Sequence, residues 1–199
     1  MKGASVRREP GEVRSIVPAI RAGLLEKDLR VLCALAVSSG ADRAAVVRAS
    51  DVVFDKKVLS RPRSSAGTRS VHWPALYPKD SVRDAVGAYR KGIFFSVAPL
   101  EEAADCLRVH ELVSAIESSA FYMGYHLAMG FAAGNCRQVF CAEERECAAL
   151  RRGRSCVYPY LGRPSMESVG MDPGAMAVKL GWARRGGPRP PAAGLVMVA

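Results

Sequence analysis

Several signatures that would announce a chemistry are missing from this chain of 199 residues. Histidine is scarce: His72, His110 and His126 are the three, and none stands in a serine or cysteine motif of a nucleophilic triad. There is no phosphate loop and no dinucleotide fingerprint, since Gly130–Gly134 (GFAAG) lacks the G-x-G-x-x-G spacing and follows a helical pattern instead of a strand. The opening MKGASVRREPGEVRS is basic and polar with no apolar run behind it, which argues against a secretory signal. Runs long enough to cross a bilayer are also missing. The uncharged stretch between Arg30 and Asp42 is too short, and Ser118–Cys136 is interrupted by Gly124, His126, Gly130, Gly134 and Asn135. A buried core helix is expected over Ser118–Cys136, with His126 as a hydrogen-bonded core residue. The chain reads as soluble and cytoplasmic, with no membrane partner.

Acidic residues are in deficit. Against 29 Lys and Arg stand 19 Asp and Glu, a formal charge of +10. Such a field favours anionic partners but says nothing about fold. Lys56–Lys79 holds six cationic residues and no acidic one, with His72, Trp73 and Tyr77 interleaved. Cations with aromatics suit a single-stranded nucleic-acid groove. In the absence of a recognisable nucleic-acid fold, a basic surface loop is the preferred reading. Glu111 and Glu117 could serve acid–base chemistry, but carboxylates on a helix face are more often solvated.

What is present is a core. Apolar residues make up 49% of the chain and charged residues 24%, which is ordinary globular usage and excludes wholesale disorder. Residues 1–20 read as a flexible basic segment, and residues 21–199 as a single domain. Leu25, Leu29, Leu32, Cys33 and Ala36 recur at helical spacing from about Leu24 to Ser38, with Gly40 as the stop. Two β-prone runs follow, Ala44–Val47 and Val52–Val58. Val82–Tyr89 suggests a short helix and Gly92–Val97 a strand buried on both faces. The stripe Val109, Val113, Ile116, Ala120, Met123 and Leu127 predicts a long helix from about Leu100 to Met129. Further on, Ser165 and Asp172-Pro173 can each start a short helix, Gly181 marks a stop, and Gly194–Val198 suits a final strand. Interleaved helices and short strands indicate an α/β (α+β) class, a small mixed sheet packed with helices.

Cysteine carries the chemistry. Cys33 and Cys106 stand alone on apolar helical faces and read as core filler. Cys136, Cys141, Cys147 and Cys156 crowd together as C-x4-C-x5-C-x8-C. Without export such crowding is more often metal than disulfide. Four thiolates can complete a tetrahedral zinc site or the corners of a four-iron cluster. The spacing lacks both the C-x2-C knuckles of structural zinc and the C-x2-C-x2-C run of ferredoxins, so it identifies a metal site at 134–172 without naming the metal. Arg137, Arg145, Arg151, Arg152, Arg154 and Arg163 lie nearby, and an excess of cations there would lower the thiol pKa values.

The stretch Gly134-Asn135-Cys136…Cys141…Cys147…Gly153-Arg154-Ser155-Cys156-Val157-Tyr158-Pro159…Gly162-Arg163-Pro164-Ser165-Met166-Glu167-Ser168-Val169-Gly170-Met171-Asp172 resembles the carboxyl-terminal signature of an uncharacterised family (domain of unknown function family 2284). Its members are described as predicted metal-binding proteins and are frequent in methanogenic archaea and anaerobic bacteria. Glu117–Tyr125 and Tyr89…Ile93-Phe94-Phe95 are similar to that family too, and the likeness runs from about Gly40 to Val198. It departs at Leu59–Pro78, where the family carries cysteines ending in Cys-Pro-Pro and this chain has Trp73-Pro74 and no cysteine. That departure implies loss of all or part of a second site, with His72 able to replace one ligand. The resemblance favours an iron–sulfur cluster (4Fe-4S) on Cys136, Cys141, Cys147 and Cys156, acting in electron transfer with a redox partner protein or as a redox accessory. The alternative is a zinc-stapled structural or nucleic-acid-binding module.

Overall fold

The computed structural model describes residues 22–60, 79–98, 102–134, 136–144, 147–150, 155–184 and 192–199. Four strands form one sheet in the order β1-β2-β4-β3: β1 (Arg43–Arg48), β2 (Lys91–Ser96), β3 (Met129–Phe131) and β4 (Ala193–Met197). The helices are α1 (Ala22–Ser38), α2 (Lys56–Ser60), α3 (Lys79–Gly87), α4 (Glu102–Tyr122), α5 (Cys136–Phe140) and α6 (Pro173–Lys179). The α+β class read from the sequence is the class observed. Every ladder of the sheet is antiparallel, whereas a mixed sheet was expected; the parallel contact present is an isolated bridge between Ala132 and Ser165.

The continuous apolar runs of β2 and β4 follow from cover on both faces of the sheet. Side chains alternate along a strand. Ile93, Phe95, Val97, Val196 and Val198 therefore meet α1 and α4 through Leu25, Leu29, Leu32, Val109, Val113 and Ile116. Phe94, Leu195 and Met197 face the other way, onto Val82 and Val86 of α3, Met176 of α6, and Met166 and Met171 of the preceding loop. Trp182 stacks on Phe94 with ring centroids 5.5 Å apart.

Helix ends explain most departures from the sequence pattern. The long helix stops at Tyr122, because Gly124 takes φ 96° and releases the chain from the helix. Gly124 N–H then bonds the Phe121 carbonyl at 3.0 Å and Tyr125 N–H the Ala120 carbonyl at 2.9 Å, the bond pair of a glycine-closed helix. Consequently Met123 and Leu127 are exposed instead of continuing the buried stripe. His126 sits on the turn, exposed, with its ring 4.6 Å from that of Phe121; it is not a core histidine. The expected core helix over Ser118–Cys136 is thus a helix end, a turn, β3 and a loop. Gly40 and Gly181 close α1 and α6 as the sequence indicated, both with positive φ.

Val52–Val58 is not a strand. Phe54 makes a lone bridge to Met171, and Asp55 Oδ1 accepts the Lys57 N–H at 2.8 Å, an aspartate start for α2. Among the described residues no helix is long and apolar enough to cross a membrane. The segment 1–20 and most of the basic stretch, with His72, Trp73 and Tyr77, lie outside the described residues.

Candidate metal centre

Gly134 sets up the cysteine segment. Its φ of 68° is left-handed, and a Cβ there would stand 2.4 Å from Cys106 Sγ on α4. Only glycine allows the loop to press this closely on the helix. Two residues later Cys136 opens α5, buried at 4% exposure. Cys141 follows α5, half-buried, its N–H on the Arg137 carbonyl at 2.8 Å. The Arg137 guanidinium bonds the Glu144 carbonyl at 2.6 Å and closes that turn. Cys147 is buried, and Cys156 is half-buried with its sulfur accepting the Tyr158 N–H at 3.4 Å.

Aromatic contacts bind the two ends of this segment together. Phe140 stacks on Tyr158 with centroids 5.3 Å apart. Its other neighbour is His110 of α4, edge-on at 5.2 Å. The row His110–Phe140–Tyr158 thereby fixes α5 and the Cys156 loop to the same stretch of α4.

The four thiols share one electrostatic neighbourhood. Burial, reinforced by Cys156, Cys147 and Cys141, pushes the Cys136 thiol up to about 12. Cys141 is also raised, by burial first and then by Cys156, Cys147 and Glu144, with Arg137 opposing. The cation excess was expected to lower thiol pKa values, and for these two it does not. Burial and like charge outweigh Arg137, and Arg163 is engaged elsewhere. Arg145, Arg151, Arg152 and Arg154 lie outside the described residues. None of the six cysteines forms a disulfide. Among the described residues no three His, Cys, Asp or Glu side chains are gathered tightly enough to hold a single metal ion. Cys147 and Cys156 each act on both Cys136 and Cys141. The donor set itself fits a metal: four thiolates repel one another, and a cation among them reverses the sign of that interaction. Cys106 is buried in the core against Gly134, and Cys33 lies half-buried at the edge of the same cluster.

The Arg-Pro-Ser-Met-Glu run is an architectural strap. Arg163 Nε donates to Glu117 Oε2 at 2.6 Å, and Glu117 Oε1 accepts the Gly130 N–H at 2.6 Å. Gly130 approaches so closely that a Cβ would meet Val113 and Glu117 at 2.3 and 2.8 Å. Glu117 is thus a half-buried junction between α4, β3 and the cysteine loop, where a solvated carboxylate was expected. Ala132 exchanges backbone bonds with Pro164 and Met166, at 2.8 and 2.9 Å. Ser165 Oγ accepts the Ser168 N–H at 3.2 Å, and Met166 and Met171 are fully buried. Asp172 Oδ1 caps α6 through the Ala175 N–H at 2.9 Å.

Sequence reasoning passed over His110. Its ring is fully buried, and burial lowers its pKa to about 4, so it is neutral. The available signal was its position one helical turn after Cys106 on α4.

A family model described as "predicted metal-binding protein" (domain of unknown function family 2284) matches residues 45–198. No curated protein and no solved structure matches the chain.

Proposed function

Taking as premise that the chain belongs to this family of predicted metal-binding proteins, we propose that it carries an iron–sulfur cluster on Cys136, Cys141, Cys147 and Cys156. Its role in that reading is to pass single electrons to a redox partner protein. The observation that carries the reading is that Cys147 and Cys156 both raise the cost of ionising Cys136 and Cys141, which sets the clustered cysteines in one neighbourhood. A zinc ion draws four sulfurs to about 2.3 Å from a single centre. In a four-iron cluster each cysteine ligates its own iron, and the sulfurs stand further apart.

Bound there, the cluster would supply a one-electron couple. The chain's own part is to hold four deprotonated sulfurs together and shield them unequally. Cys136 and Cys147 are buried, whereas Cys141 and Cys156 are half-buried. That gradient supports contact with a docked protein on the Cys141–Cys156 side. Cysteines outside disulfides suit a reducing compartment such as the cytoplasm.

Anaerobic purification followed by iron, zinc and acid-labile sulfide analysis tests this. About four irons with matching sulfide per chain is the expected result. One zinc and no sulfide overturns the electron-transfer role and leaves a zinc-stapled module.

A further inference from the structure

The turn that follows Cys156 carries apolar side chains outward on a backbone that is held in place. Val157 is 62% exposed and Tyr160 79%, with Tyr158 at 38%. The Tyr158 carbonyl accepts the Gly162 N–H at 2.8 Å and the Leu161 N–H at 3.2 Å. Arg163 Nη1 donates to the Pro159 carbonyl at 3.0 Å, while its Nε is fixed on Glu117 of α4. The Tyr158 ring is stacked on Phe140. Val157 and Tyr160 are therefore presented by an ordered turn, and covering them with a partner costs little further backbone order. Protein interfaces draw their central anchors from exposed aromatic side chains of this kind.

Charge decides what kind of surface covers them. From Arg151 to Arg163 the sequence has four cations and no acid, on a chain of formal charge +10. An acidic surface is the electrostatic complement. A nucleic acid has the same sign, but a single-stranded platform stacks successive bases on open rings. Here Phe140 occupies one face of Tyr158 and Val157 has no ring, which leaves Tyr160 as the one open ring of the turn. The turn suits a protein better.

We propose that the Val157–Tyr160 turn is the docking surface for an acidic protein, the one-electron partner of the metal centre. This names the partner in the iron–sulfur reading and rests on it. The turn begins at the residue after Cys156, so a protein seated on Val157 and Tyr160 lies beside that half-buried cysteine.

The test titrates the anaerobically purified full chain with flavodoxin, a strongly acidic one-electron carrier, at low and high salt, with iron analysis of every sample. Expected is binding that weakens with added salt. It should also weaken about tenfold or more in Tyr160→Ala and in Val157→Ser, with iron content and circular dichroism as in wild type. Both side chains are exposed, so both variants should fold. Iron-loaded wild type that binds no flavodoxin, or variants that bind it as tightly, overturn the docking surface and leave the four-cysteine reading standing. A single-stranded oligonucleotide that binds more tightly than flavodoxin, and is lost in Tyr160→Ala, reassigns the turn to nucleic acid and overturns the proposal too. A chain with zinc and no iron overturns the electron-transfer reading, and the partner's role with it.

Discussion

Replacing Gly134 by alanine tests the packing that delivers Cys136 to its place, with a magnitude that can be worked from two contacts. The φ of 68° costs an L-residue about 1–2 kcal/mol. The new methyl would also lie 2.4 Å from Cys106 Sγ, and relieving that overlap in a packed core costs about 1–3 kcal/mol more. Gly134→Ala should therefore lose about 2–5 kcal/mol. Cys106→Ala alone removes one buried sulfur and should cost about 1 kcal/mol. In the double variant the overlap disappears, since the remaining Cys106 Cβ is 3.4 Å from the new methyl. The double variant should then retain only the backbone strain and the lost sulfur, about 2–3 kcal/mol. The coupling energy is favourable by about 1–3 kcal/mol. Urea unfolding of the four proteins under reducing conditions measures it. Strict additivity would show that Gly134 and Cys106 do not touch and that the loop is anchored in some other way.

Further outcomes follow from the same geometry. Alanine at Cys136, Cys141, Cys147 or Cys156 should strip or weaken metal binding, whereas Cys33→Ala and Cys106→Ala should keep full metal content at a cost of about 1 kcal/mol each, read by elemental analysis of the six variants. Glu117→Gln leaves the Arg163 guanidinium largely buried beside a neutral amide, and the urea midpoint should report a loss of about 1–3 kcal/mol, discounted for partial exposure of the pair. His110 titrates near 4 in the fold against 6.5 for the free side chain. The unfolded chain thus takes up a proton that the folded chain refuses, and stability of the metal-free protein should fall as pH drops through that window, by at most about 3 kcal/mol. His110→Gln should remove that component of the slope, as followed by denaturation at stepped pH.

Much of the scaffold is legible in the sequence because it depends on local rules. Gly92–Val97 and Gly194–Val198 read as strands since apolar runs of that length suit cover on both faces, and the cover exists. Asp172-Pro173 and Gly181 delimit α6 by capping chemistry that operates within a few residues. Gly124 was readable by the same rule, but the apolar stripe continuing to Leu127 masked it; the stripe reflected exposed residues on a turn. Val52–Val58 failed because β-branched composition yielded to the Asp55 start of α2. Non-local facts were out of reach. That Glu117 would join Gly130 to Arg163 depends on three segments meeting. Likewise, the effect of one thiol on the next depends on loop path and burial, and a count of neighbouring arginines carries neither.

X-ray absorption on the anaerobically purified chain tests the central claim most directly, because it reports the metal and its neighbours together. The account predicts an iron edge with a sulfur shell and a second shell of iron scatterers, both absent from the variant lacking all four clustered cysteines. A zinc edge with a single sulfur shell at about 2.3 Å and no iron would contradict it.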